Sequence, residues 1–362
     1  MTSVAQPKIF GAGLIALDLV MGPDPETPVR SWAGGTCGNV LSILAYLGWS
    51  SYPIARMNGD PASQRVRADM AMWGVHLDWT SCAPTTHTPI IVQQILRDSS
   101  GRPKHRFSWS CPHCGQWLPA FKAITVNAVE SVKPALTDAS VFFLDRLSRA
   151  NLMLAAEASS KGAVVVFEPS GKAKDKLLLE ALKLAHIVKY ADERLDGVSG
   201  AMTEGAATLL EIQTLGEKGL KYRHKIGGIL SDWILLKAIH VPRLVDTCGS
   251  GDWCTAGLIA KVAGGGQVGL RSIGQHEIEV ALRYGQALAA WNCNFEGARG
   301  GMYIIDRNIF DSQIDKVMNG EIQNDHSLMA KYFLDHPVTC PACPLELQKK
   351  DTSNKKTSKR AA

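Results

Sequence analysis

Between Ala139 and Tyr190 the chain repeats one alternation. The run "ASVFFL" reads as a strand, and "ANLMLAAEASSKG" carries apolar residues at helical spacing. "AVVVFE", "AKDKLLLEALKLA" and "HIVKY" then continue the same rhythm. Strands and helices that alternate in this way build a parallel sheet with helices on both faces. The fold class is therefore α/β, and the rest of the chain is read around that core.

Before it, residues 7–20 read as a strand, and "GPDPETP" must be a loop. "TCGNVLSILAYLG" from Thr36 reads as a helix ending at Gly48, "SYPIARM" as a short strand, and "PASQRVRADMAMWG" as a helix with Pro61 in its first turn. From Thr88, "TPIIVQQILRD" and "KHRFSWS" flank "SSGRP" as a β-hairpin. After the core, "LEIQTLGEKGLKYRH" is a second hairpin, "KAIHVPRLV" a strand, "WCTAGLIAKVA" a helix, and "EIEVALRYGQALAAWNC" the helix that closes the core. Past about Asp311 the periodicity weakens, and no internal repeat is visible.

The chain has 362 residues, 46% hydrophobic and 20% charged, which suits a folded protein with a large core. Its formal charge is +5, but the segment from Lys349 to Arg360 holds six basic side chains against Asp351 alone, which accounts for the excess. A neutral body does not predict a nucleic-acid groove. The Lys-rich end, with no apolar face, is expected to be disordered. The early run "IFGAGLIALDLVMG" carries Asp18 in its middle, and no run reaches membrane-spanning length, so no membrane partner and a cytoplasmic location are expected. Nine cysteines, an odd number, argue against a secreted disulfide framework.

"GAGLIA" at Gly11–Ala16 matches a loose dinucleotide fingerprint, but Pro23 and Pro25 follow where a crossover helix would have to run. Glycines inside a first strand is the better reading. No P-loop is present. "DTCGSGD" at Asp246–Asp252 carries more. Gly249 and Gly251 let successive N–H groups point one way, and the helix that begins there adds its unpaired N–H groups and positive dipole end. Together these form an anion site. Asp252 sits beside it, either as a base for an attacking hydroxyl while the amides hold a phosphoryl group, or as a plain N-terminal helix carboxylate.

The context favours the first. "DTCGSGDWCTAGL" resembles the second signature of the ribokinase-like (PfkB) carbohydrate kinase family, and "GGTCGNVLSILAYLG" at Gly34–Gly48 resembles its first. The strand with Asp18, "TLGEKG" (Thr214–Gly219) and "EGARG" follow in the family's order. The resemblance implies a three-layer αβα sandwich with a mostly parallel central sheet and a small β lid. It places the kinase domain at 7–312, with the lid from about 19–34 and 86–122. A C-terminal extension (313–345) and a basic tail (346–362) follow. By the same resemblance Asp252 is the catalytic base, and the amides of Cys248, Gly249, Ser250, Gly251 and Asp252 are the anion hole. Asp18, Gly34, Gly35 and Asn39 hold the acceptor's hydroxyls. Thr214, Gly216 and Gly219 belong to the nucleotide loop. ATP and Mg²⁺ are the implied cofactors, and a homodimer through the lid is admitted. The sequence departs from the family where Ala191 and Arg194 replace an Asn-x-x-Glu used in placing Mg²⁺; Asp192, Glu193 or Glu168 are candidates to substitute.

Two Cys-x-x-Cys pairs remain: Cys111 with Cys114, and Cys340 with Cys343. Together they suffice for a structural Zn²⁺ site of four thiolates that would tie the extension to the lid. A thiol–disulfide motif at "CPHC" and unrelated reduced thiols are the competing readings. Cys37, Cys82, Cys254 and Cys293 sit in apolar surroundings and are expected in the core.

The function expected is transfer of the γ-phosphoryl of ATP to a hydroxyl of a small sugar or nucleoside. Trp32, Gln93, Arg106 and Trp109 are candidate lid residues facing the acceptor. The alternative is a kinase-fold binding protein that docks a partner or nucleic acid through the zinc module and basic tail.

Overall fold

The structure is a computed structural model of the chain and describes residues 6–24, 29–81, 86–169, 175–191 and 206–321. It opens with β1 (Lys8–Gly11), β2 (Ala16–Met21), β3 (Arg30–Gly34) and α1 (Thr36–Tyr46). β4 (Ser50–Pro53), β5 (Ala55–Arg56), α2 (Pro61–Met72), β6 (Thr80–Ser81), β7 (Ile90–Arg97) and β8 (Pro103–Ser108) follow. The middle holds α3 (Val129–Val132), β9 (Val141–Leu144), α4 (Arg149–Ser160), β10 (Val164–Phe167), α5 (Asp175–Leu184) and β11 (Ile187–Ala191). The last third contains β12 (Leu210–Thr214), β13 (Leu220–His224), β14 (Ile234–Leu236), α6 (Ser250–Val262), α7 (Gly266–Ser272), α8 (Gln275–Asn292), α9 (Gly300–Ile304) and α10 (Arg307–Met318).

Eight strands form the main sheet in the order β14-β13-β12-β11-β10-β9-β1-β4. The six from β12 to β4 run parallel, and β13 and β14 add an antiparallel edge. Successive side chains of a strand point to opposite faces, and both faces here are buried. Val141 and Phe143 of β9 and Val164 and Val166 of β10 enter one core with residues of α1, α6 and α8. Phe142, Leu144, Val165 and Phe167 enter a second core with residues of α4 and α5. This is the expected three-layer αβα sandwich. A separate four-stranded sheet, β3-β2-β7-β8, forms the small β lid, and its β7–β8 hairpin lies where the sequence places it.

Helices α6 and α8 cross at glycines. A methyl group at Gly257 would lie 2.6 Å from Gly285 Cα, and one at Gly285 would lie 2.6 Å from Cys254 O. Only glycine permits this approach of two backbones.

Several sequence expectations need correction. Residues 7–20 are not one strand. Phe10 and Gly11 pair in the main sheet, whereas Leu17 and Asp18 pair in the lid, so the chain changes sheets between Gly11 and Ala16. "SYPIARM" likewise divides into β4 and β5, in different sheets. "KAIHVPRLV" forms no strand; the edge strand is β14, just before it. Pro242 removes a backbone donor there, and His240, Val241 and Leu244 line a cleft instead of pairing. Beyond Asp311 regular structure continues, because α10 runs to Met318 with an Asp306 N-cap and buries Phe310 and Ile314.

Candidate active site

The segment between Val245 and Trp253 builds the site. Gly249 is the N-cap of α6 with φ +74°, a left-handed conformation suited to glycine, and a Cβ there would lie 2.3 Å from Ala298 O. The two carboxylates of "DTCGSGD" do different work. Asp246 fastens the turn: its Oδ1 accepts from Cys248 N at 3.0 Å, and its Oδ2 from Gln93 Nε2 at 2.7 Å and Gly297 N at 2.9 Å. It therefore joins the lid strand β7, the "EGARG" loop and the turn. Of the five expected anion-hole amides, Cys248 N–H is committed to Asp246, and Ser250 N–H to Thr247 O at 3.2 Å. Gly251 and Asp252 keep amides with no protein acceptor among the described residues, and the Gly249 N–H meets only the Cys248 thiol. They lie at a helix N-terminus, where an anion is favoured.

Asp252 occupies the first turn of α6 and lines the cleft. Asn39 Nδ2 donates to its Oδ2 at 2.7 Å. Burial raises its pKa to about 8, reinforced by the Glu168 carboxylate and opposed by the Asn39 hydrogen bond and by Lys189. A carboxyl so tuned suits a general base near neutral pH.

Beneath the turn, Lys189 of β11 donates to Glu168 Oε1 at 2.7 Å, and Thr255 Oγ1 donates to Glu168 Oε2 at 2.6 Å. Sequence reasoning took Glu168 as a candidate for placing metal and passed over Lys189. A charged residue inside the apolar strand "HIVKY" was the available signal.

In the same cleft, Gly34 makes room for Asp18: a Cβ on Gly34 would lie 1.9 Å from Asp18 Oδ2. Burial raises the Asp18 pKa to about 7, against the Gly35 amide hydrogen bond and the Arg299 charge. Its Oδ1 has no protein partner. Behind it Arg299 Nε donates to Asn39 Oδ1 at 3.1 Å, and Arg299 Nη2 to Ala33 O at 2.5 Å. Asp69 of α2 backs Arg299 at 3.4 Å. Neither was singled out from sequence, because partners so far apart in the chain leave no periodic trace; the basic residue within the Gly-rich "EGARG" was the one hint.

One cleft of about 960 Å³ unites most of the expected residues. Asp18, Gly35, Asn39, Gly249, Ser250, Gly251 and Asp252 line it, with Thr214, Gly216, Gly219 and Cys248. Gly34 backs Asp18 rather than facing the opening. Among the lid candidates, Trp109 lines the cleft together with His105 and Phe107. The others do not face it. Trp32 is stacked on Tyr303 with ring centroids 4.5 Å apart, Gln93 is held by Asp246, and Arg106 bonds Gln94. Cys111 and Cys114 lie in a turn after β8, where Gly115 N donates to Cys111 O at 2.9 Å, and no helix starts there as a thiol–disulfide motif would need. Cys37, Cys254 and Cys293 are buried as expected. Cys82, Asp192, Glu193, Arg194, Cys340, Cys343 and the basic tail lie outside the described residues.

A parallel αβα sheet with a β lid over an amide-lined helix terminus is the ribokinase-like architecture. The chain belongs to the pfkB family of carbohydrate kinases, whose model matches residues 24–303. Among solved structures it resembles a fructokinase from Xylella fastidiosa with bound ATP, at 18% identity and TM-score 0.64, covering 86% of this chain and 98% of that one. A ribokinase from Arabidopsis thaliana complexed with ribose and ATP gives 18% identity and TM-score 0.61 over 87% of this chain and 99% of that one. A ribokinase from Giardia lamblia gives 14% identity and TM-score 0.66 over 87% and 99%. No curated protein sequence gives a significant match. Among the described residues no helix is long and apolar enough to cross a membrane.

Proposed function

We propose that the chain transfers the γ-phosphoryl group of ATP to a hydroxyl of a small sugar or nucleoside. The observation that carries this reading is Asp252: a buried carboxylate, raised in pKa, at the foot of an amide-lined turn and facing the same cleft as Asp18. Asp18 accepts hydroxyl hydrogens of the acceptor through its unpartnered Oδ1. Asp252 takes the proton of the attacking hydroxyl. The acceptor O–P bond forms as the bond to the β-phosphate oxygen breaks, and that electron pair leaves with ADP. The amides of Gly249, Gly251 and Asp252 hold the charge on the migrating group. Thr214, Gly216 and Gly219 border the nucleotide, which suits the ATP held by the fructokinase and ribokinase neighbours.

Among the described residues the side chains alone do not cage Mg²⁺, which would be held by one or two carboxylates together with the phosphates of ATP. No group of three His, Cys, Asp or Glu side chains is placed to hold a metal, and both oxygens of Glu168 are engaged by Lys189 and Thr255. The chain's own part in catalysis is accordingly built from Asp252, Asn39, Asp18 and the amides. Structural zinc on Cys111 and Cys114, completed by Cys340 and Cys343, belongs to the same proposal. The tight turn at Cys111–Gly115 supports it, since such a turn brings two thiols together.

The deciding assay runs wild type and Asp252→Asn against a panel of sugars and nucleosides with ATP. Loss of the general base should lower transfer by about 10²–10⁴-fold, while ATP still shifts the melting temperature. Near-wild-type phosphorylation by Asp252→Asn overturns the mechanism.

A further inference from the structure

Arg299 influences the site without lining it. It enters from the loop between α8 and α9 and is only 1% exposed. Its Nε donates to Asn39 Oδ1 at 3.1 Å, while Asn39 Nδ2 donates to Asp252 Oδ2 at 2.7 Å. One carboxamide therefore stands between a fixed cation and the base.

The chemistry of the two neighbours settles which end of that carboxamide faces which. A guanidinium has five N–H donors and no acceptor, so only a carbonyl oxygen can meet Arg299. The NH₂ group is then obliged to face Asp252. Were the amide turned round, its oxygen would face the carboxyl, and only a protonated carboxyl could satisfy it. A side-chain amide has little preference of its own between these two orientations; its partners choose.

We infer that Arg299 is a positioning residue for the phosphoryl transfer, holding the Asn39 amide so that Asp252 meets an N–H donor and stays ready to accept a proton. The inference rests on Asp252 as the base. Arg299 is itself braced. Nη2 donates to Ala33 O at 2.5 Å and to Asp69 Oδ2 at 3.4 Å. Asp69 in turn accepts from Ala33 N at 2.6 Å, from the Tyr303 hydroxyl at 2.9 Å and from Trp73 Nε1 at 3.1 Å. The loop after α8 is thus tied to the end of β3, to α1 and, through Asn39, to the first turn of α6.

Other groups act on Asp252 from the elements around it: Glu168 after β10, Lys189 on β11 and Asp145 after β9. The buried thiols of Cys37 on α1 and of Cys248, just before α6, complete its surroundings. The hydrogen bonds of the Asn39 side chain run to Arg299 and Asp252 and to none of these groups.

The test follows the ionisation of Asp252 in the full chain without substrate, by ¹³C NMR of aspartate-labelled protein, with Asp252→Asn assigning the signal. Arg299→Met should move its titration midpoint upward by about half a pH unit or more. In an Asn39→Ala background the same substitution should move it clearly less, because the relay is already cut. Arg299→Met leaves Asp69 without its cation, so Arg299→Lys is run beside it. Lysine keeps the charge but lacks the planar fork that reaches Ala33 O and Asn39 Oδ1 together, and the midpoint should still rise. In turnover, Arg299→Lys should lower kcat with little change in acceptor KM. A midpoint unmoved in Arg299→Lys, or one moved equally with and without Asn39, overturns the inference. The titration requires no turnover, so its outcome is separate from that of the Asp252→Asn assay.

Discussion

Lys189 and Glu168 form an ion pair at 2.7 Å on the floor of the anion turn, with side chains only 2% and 9% exposed. Burial alone would lower the lysine's pKa, but the Glu168 carboxylate and its neighbours outweigh that and raise it. The lysine is thus held charged directly below the turn: its Nζ lies 3.5 Å from where a Cβ on Gly251 would sit.

A buried pair of this kind is felt when one half is removed. Lys189→Met should cost about 3–5 kcal/mol of stability, because Glu168 is left as an uncompensated buried charge. Lys189→Met combined with Glu168→Leu should recover most of that loss. Chemical denaturation of the two single variants and the double variant measures the coupling.

The acidic groups of the site set how stability varies with pH. Burial raises Asp252 to about 8 and Asp18 and Asp145 to about 7, from 3.8. Between these limits the folded chain keeps protons that the unfolded chain releases, so stability is highest at the acid end and falls as pH rises toward 8. His186, lowered to about 4 by burial, works in the opposite direction but is a single group. The urea midpoint should therefore be higher at pH 5 than at pH 8. Asp145→Asn, which keeps an acceptor for Leu14 N, should shrink the difference. Activity should run the other way, with kcat/KM rising through the ionisation of Asp252.

The two glycines of the turn should separate stability from catalysis. Gly249→Ala would put a Cβ 2.3 Å from Ala298 O at φ +74°, and should cost about 1–3 kcal/mol for the backbone conformation alone. Gly251→Ala meets nothing closer than 3.5 Å. Its melting temperature should stay close to wild type while phosphoryl transfer falls, since the added methyl enters the cleft beside Lys189 and Glu168. Melting curves and initial rates on the same two proteins check both halves.

Metal analysis of the purified chain should find about one zinc per chain, as a site of four thiolates requires. Cys111→Ser and Cys114→Ser should each lose it while leaving the cleft intact, because neither cysteine lines it. Zinc retained by both variants would remove these residues from the site.

Much of the architecture was legible because it is local. The alternation from Val141 to Ala191, the β7–β8 hairpin and the turn before α6 each announce themselves within a short stretch of sequence. The turn also disclosed Asp252 and its glycines. The supporting groups were not legible, since their contacts join distant parts of the chain. Asp246 reaches Gln93, Arg299 reaches Asn39, and Lys189 reaches Glu168. "KAIHVPRLV" misled for the converse reason: alternating apolar residues describe a face turned toward something, and here that is a cleft wall rather than a neighbouring strand.

The meeting of Gly257 with Gly285 has a mechanical consequence. Two backbones already in contact cannot slide toward each other, so α6 and the amide-lined turn at its tip are locked to α8 as one block.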